Sequence, residues 1–194
     1  MNTYSHFLIT AGLDQVARNR TGWPLKTRAF LLGAVLPDVP LVVLTLGYFV
    51  HTRFIRPELA NEFIFGPRYD ALYFTDPVWI TGHSLFHAPP LILALALLGF
   101  WAWRRGRGWG LGLLWFAAGC GLHSLVDILT HHHDGPLLLF PFDWSLRFQS
   151  PVSYWDGDYH AGIVAPLEHL LDVTMLVYLG REWWRRRARA GGAP

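Results

Sequence analysis

The sequence holds one cysteine, Cys120, inside an apolar run. Within one chain this excludes a disulfide framework and any cysteine-based zinc site, so a metal here has to be held by histidine and carboxylate. Charge is scarce as well: 15% of the residues are Asp, Glu, Lys or Arg, against about a quarter in an ordinary soluble domain. With 52% hydrophobic residues, ten Trp and thirteen Phe, the shortage implies a lipid-facing surface or an unusually large buried core. No Gly-x-Ser-x-Gly elbow and no Gly-rich phosphate loop occurs. Ser84 and Ser124 each follow a histidine directly, and adjacent side chains on a helix do not face each other. The basic runs carry no nucleic-acid motif, so no nucleic-acid partner is expected. The N-terminal stretch lacks a basic start followed by a long apolar core and a cleavage site, which predicts no removable signal peptide.

Long apolar runs are plentiful. Ala29–Val50, Leu85–Trp103 and Trp109–Leu129 each approach or exceed the roughly 20 residues that a membrane-spanning helix needs. Ile163–Leu179 is a shorter fourth block. Charge sorts with them. Arg18, Arg20, Lys26 and Arg28 precede the first block; Arg104, Arg105 and Arg107 join the second to the third; Arg181, Arg185, Arg186, Arg187 and Arg189 follow the fourth. Four spans would put all three clusters on one side, which the positive-inside tendency makes cytoplasmic. Trp101, Trp103, Trp109, Trp183 and Trp184 flank the clusters as an interfacial belt would. The expected fold is therefore all-α: an integral membrane helical bundle of about four transmembrane helices, with long non-cytoplasmic loops over 51–84 and 130–162. A short helix, capped by Ser5 and running from His6 to Arg18, precedes it. Residues 1–184 read as one domain, and 185–194 as a basic, disordered cytoplasmic tail. Residues 134–162, rich in Pro, Gly and aromatics, read as an ordered lid.

Ionisable side chains at membrane depth are costly and mark function. They gather around Gly121–Asp134, where His123 and Asp127 lie four apart and share a helical face. His131, His132 and His133 follow at the helix exit. Asp38 interrupts the first block; His83 and His87 form a His-x-x-x-His pair disturbed by Pro89 and Pro90; Glu168 and Asp172 share a face of the fourth block, and His169 points away from it. His6 and His160, the latter beside Asp156 and Asp158, complete the inventory. Counted from the arginine clusters, the intramembrane members lie roughly 15–30 Å above the cytoplasmic face. They can therefore meet in the outer half of the bundle. Imidazole and carboxylate converging in this way suit zinc or another divalent metal.

His6, Gly33-Ala34-Val35-Leu36-Pro37-Asp38, Gly82-His83-Ser84 and Leu122-His123-Ser124-Leu125-Val126-Asp127, followed by Pro141-Phe142, resemble the YdjM-like family of membrane-bound metal-dependent hydrolases. In ligand order that family is similar to zinc-dependent phospholipase C and to fungal single-strand-specific nucleases. The resemblance implies His6, Asp38, His83, His123, Asp127 and His133 as ligands, with Asp127 bridging two metals. Glu168 stands in for the late acid, and His160 or His169 for the late histidine; His87 and Asp172 are further candidates. One or two ions are expected rather than three, because the late His-x-x-x-acid pair of those relatives is not reproduced.

The function these observations favour is a phosphoester hydrolase of the inner membrane, the site under the lid towards the outer side. Asp38 or Asp127 would orient the water. The lipid bilayer is the expected partner, and a phospholipid or lipid-linked phosphoester the expected substrate. An ion-transport protein, and a bundle whose metal only ties helices together, are the competing classes.

Overall fold

The computed structural model describes every residue except 60, 62 and 192–194. The bundle is all-α, as expected. Its helices are α1 (Thr3–Arg20), α2 (Thr27–Val35), α3 (Val39–Val50), α4 (Pro67–Thr75), α5 (Pro77–Ser84), α6 (Pro89–Arg104), α7 (Gly110–Thr130) and α8 (Ala161–Gly191). Among the described residues no strand forms; Leu137 and Arg147 make one isolated bridge.

Three stretches are long and apolar enough to cross a membrane: Thr27–Ile55, Gly110–Thr130 and Ala161–Arg189. A fourth is the pair α5 and α6, bent by 46° at a break of a few residues. Both breaks in the spans have a local cause. Pro37 and Pro40 remove backbone donors, and the chain takes a 3₁₀ turn over Leu36–Asp38 between α2 and α3. Pro89 and Pro90 lack the donors that would continue α5 into α6.

Several expected boundaries move, and the long loop expected over 51–84 holds α4 and α5, the latter part of the bent span. The first helix starts at Thr3 with Asn2 as its N-cap. The Ser5 hydroxyl is not a cap: it is buried and donates to Glu168 and Asp172 on α8. At the other end α8 continues to Gly191, so the tail expected to be disordered from Arg185 is helical that far. The Arg/Ala sequence there favours helix, and its positive charge suits a helix C-terminus. Residues 192–194 of that tail lie outside the described residues.

Three cross-links gather the arginine clusters at one end. Trp115 Nε1 donates to Pro24 O at 3.1 Å. Asn19 donates to Glu182 at 3.2 Å, and Arg186 to Gln15 at 2.8 Å. We call this the basic end. The bundle is also inside out relative to a soluble domain. Leu93, Leu97 and Leu170 are 58–63% exposed, while His6, His87 and His123 are at most 2% exposed. Apolar side chains cover the outside and polar ones fill the middle, the arrangement that lipid demands.

Close backbone contact brings the polar groups together. A Cβ on Gly33 of α2 would lie 2.2 Å from Phe116 O, and one on Gly119 of α7 would lie 2.2 Å from Phe30 O. Only glycine at both positions lets these helices touch, the small-residue contact common between membrane helices. Beyond α7 the chain forms the ordered lid that was expected. Leu138 N donates to Leu146 O at 2.9 Å, Tyr154 N to Thr130 O at 3.1 Å and Ser153 N to Tyr159 O at 2.7 Å.

Candidate metal centre

Asp38, His87, His123 and Asp127 each offer one donor atom, and the four atoms lie within 4.8 Å of one another. Three local features place them. Asp38 ends the 3₁₀ turn that Pro37 opens. His87 sits in the α5–α6 break, turned inward by the bend before Pro89. His123 and Asp127 occupy one face of the unbroken α7 and stand 3.1 Å apart.

Both rings are held from behind. His123 Nδ1 lies 2.8 Å from Ala34 O, and His87 Nδ1 meets His83 O. A carbonyl only accepts, so each Nδ1 carries the proton and each neutral ring presents a bare Nε2. The two Nε2 atoms face each other at 3.0 Å. Two lone pairs repel at that distance unless a cation or a proton lies between them. The other separations are 3.1–3.5 Å, from His87 and His123 Nε2 to Asp38 Oδ1 and Asp127 Oδ2. Nitrogen and oxygen donors around a tetrahedral zinc stand ~3.4 Å apart. The donor set therefore fits a divalent cation, which would also balance two buried carboxylates.

Each carboxylate is fixed through its second oxygen. Asp38 Oδ2 accepts the Thr3 hydroxyl. Asp127 Oδ1 is 2.9 Å from His6 Nε2 and 3.2 Å from the Met1 amine, with His131 Nε2 at 3.5 Å. Asp127 thus lies between two donor sets, His87 and His123 on one side, His6 and His131 on the other. The His6 ring stacks on His123 at 3.7 Å between centroids, and its Nδ1 is buried without a partner.

The remaining candidates lie outside the group. His83 stacks on His87 at 4.6 Å and faces the Tyr73 hydroxyl at 3.2 Å; that hydroxyl donates to Asp134 O. His83 supports the centre from behind, and His87 takes the inward position. The reason is the bend: the prolines that disturb the His-x-x-x-His pair also rotate His87 off the α5 face. His133 packs edge-on against His132 and Tyr159, away from the four donors. His131 lies nearer, with Nε2 3.5 Å from Asp127 Oδ1, because α7 stays helical to Thr130 and puts residue 131 one turn beyond Asp127. Glu168 accepts from Asn2 and Ser5, tying α8 to the start of α1. Asp172 accepts from Ser5 at 2.9 Å and lies 3.4 Å from His169, which is half exposed. His160 adopts a left-handed conformation, φ 67°, at the entry to α8 and is exposed.

The lid reaches the centre through Asp134. Its carboxylate accepts from Trp155 Nε1 at 3.0 Å and makes an ion-pair contact with His131 Nδ1 at 3.0 Å, at an angle outside hydrogen-bond geometry. Burial alone would raise the Asp134 pKa; the His131 ring and the Trp155 donor outweigh it and hold the carboxyl below its ordinary range. Tyr154 covers His131 edge-on at 5.0 Å.

A family model described as YdjM inner membrane protein matches residues 1–191. No curated protein and no solved structure matches the chain.

Proposed function

The chain belongs to the YdjM inner membrane protein family, and from that premise we propose that it is a membrane-bound metal-dependent hydrolase acting on phosphoester bonds of lipid or lipid-linked substrates. One observation carries the reading: two imidazoles pinned through Nδ1 to carbonyls turn their Nε2 atoms toward each other beside two carboxylates. Asp38, His87, His123 and Asp127 would hold one zinc-type ion. His6, His131 and Asp127 Oδ1 would be the donors for a second, beside the Met1 amine that contacts His131 and Asp127. When bound, such an ion polarises a phosphoryl oxygen and draws the pKa of a water towards neutrality.

The chain's own groups then have distinct work. The Asp38 side chain is 20% exposed, against 7% or less for the other three, so it is the carboxylate at the mouth. It would orient a water and accept its proton, while Thr3 fixes the far oxygen. His83 and Ala34 orient the two imidazoles through their carbonyls. Tyr154 of the lid lies against His131 and would limit bulk water there. A centre set between membrane spans favours a lipid-borne phosphoester, and the family resemblance, as an analogy, points the same way. The basic end would face the cytoplasm, leaving the centre towards the opposite leaflet.

Protein purified without chelator should carry about one or two zinc, manganese or similar ions per chain and should cleave a member of a panel of phospholipids and soluble phosphodiesters. Asp38→Asn leaves only a neutral amide oxygen at the centre and no proton acceptor; it should bind the metal more weakly and, at saturating metal, have lost turnover. Metal-free protein, or turnover unaffected by a chelator, overturns the reading.

A second reading, ion passage, has one observation in its favour. Ser5, Thr10 and Asp14 line the buried face of α1 towards the basic end, and Thr10 Oγ1 and Asp172 Oδ1 are buried without partners. Divalent-ion flux into proteoliposomes, lost in Asp14→Asn, would select it; hydrolysis without flux leaves the enzyme.

A further inference from the structure

Helices α6 and α7 are pressed together at the basic end. A Cβ on Gly110 would lie 2.2 Å from Trp103 N, and one on Gly99 would lie 2.7 Å from Leu114 N. Toward the metal centre a groove of about 420 Å³ lies between their side chains, within the ~300–1,000 Å³ range of ligand pockets. Pro89, Ile92, Leu93 and Ala96 line one wall at helical spacing, and Gly121, Ser124, Leu125 and Ile128 the other.

Three features define its occupant. The groove offers no free donor: the one hydroxyl on its walls, Ser124 Oγ, is turned away to donate to His87 O. It opens to the lipid side, where Leu93 and Leu125 are more than half exposed. Its Pro89 and Ile128 end adjoins His87 and Asp127 in the chain, and its wall residue Ser124 touches His87 directly. It runs for about two helical turns, ~10 Å, and ends where Gly99 meets Leu114, too short for a transmembrane helix of a partner to lie along it. A lipid whose phosphoester is at the metal centre hangs its chain in this direction.

We propose that this groove seats one hydrocarbon chain of the lipid substrate, an assignment that rests on the hydrolase reading above. Gly121 provides the test, because a Cβ there meets only Ile92 Cγ2 at an ordinary 3.7 Å. Gly121→Leu therefore fills the groove without moving backbone. Gly112→Leu, where nothing lies within 4 Å, is the control on the same helix.

The full-length protein is placed in phosphatidylglycerol vesicles containing a trace of the same lipid with a photoreactive diazirine at the chain end. Label should concentrate on 89–96 and 121–128. It should fall at least about fivefold, ~1 kcal/mol of occupancy by the tenfold-per-1.4-kcal/mol rule, in Gly121→Leu, and stay in Gly112→Leu, with metal content unchanged in both. If Gly121→Leu does not fold, Ala96→Leu shortens the groove instead. It should then shift the labelling preference from the chain-end probe to one placed near the ester. Label spread evenly over the lipid-facing surfaces of α3, α6, α7 and α8, or groove label unaffected by filling, overturns the proposal. Labelling needs no turnover, so the two readings fail separately. Groove label without hydrolysis of any phosphoester counts against the enzyme alone. Hydrolysis of a soluble phosphodiester with evenly spread label counts against the groove alone.

Discussion

His83 and His87 differ by one helical turn and have opposite fates. His87 Nε2 reaches His123 Nε2 at 3.0 Å; the His83 ring stays behind it, against Tyr73. If the four donors hold the metal, His87→Ala removes a ligand and should abolish stoichiometric binding, as should Asp127→Ala. His83→Ala keeps the carbonyl that orients His87 and loses only the stacked ring, so it should retain the metal. Exposed His51, replaced by Ala, should change nothing. Titration of chelated zinc against each purified variant checks the order, and equal loss in His83→Ala and His87→Ala would refute the arrangement. At this scale the sequence was legible for His123 and Asp127, because a helical face follows from spacing alone. His131 was legible by the same rule, being a further four residues along. The family spacing, which favours His133, pointed past it. His87 stood only among the further candidates, since its inward direction depends on a bend whose angle no local pattern encodes.

The centre exists only if α2 and α7 touch. His123 Nδ1 reaches Ala34 O because Gly33 and Gly119 let the two backbones meet. Gly33→Leu must push them apart. Overpacking of this kind costs about 1–3 kcal/mol, occasionally more, and here it should also separate His123 from Ala34 and Asp38. The expected result is a lower melting temperature together with lost metal. Gly47→Leu, where nothing lies within 4 Å on the same span, should spare both. The lid is a second element-scale dependency. Asp134→Ala frees Trp155 Nε1 and the His131 ring, and limited proteolysis within 135–156 should quicken while the helices stay protected. The spans themselves could be read from apolar length. The glycine pair could not, because it matters only once the two helices are known to be neighbours.

Over the whole molecule, polarity runs in two directions at once. Across the bundle, apolar side chains lie outside and titratable ones inside. Along it, three arginine clusters converge at one end, tied by Trp115 to Pro24 and by Gln15 to Arg186. The candidate centre lies towards the other end, with the lid above it. Burying two carboxylates and several imidazoles among lipid-facing helices is tolerable only if they satisfy one another or a cation, which makes the site a condition of the fold as well as its use. The arginine sorting was visible in the sequence because orientation depends on loop charge more than on packing. It predicts that the basic end faces the cytoplasm. The single native cysteine, Cys120, is fully buried, so introduced cysteines report against a silent background. Asp158→Cys at the lid end should react with a membrane-impermeant maleimide in intact spheroplasts. Arg107→Cys at the basic end should react only after the membrane is opened. The reverse pattern would invert the protein in the bilayer and turn its centre, and the leaflet that supplies its lipid, to the cytoplasmic side.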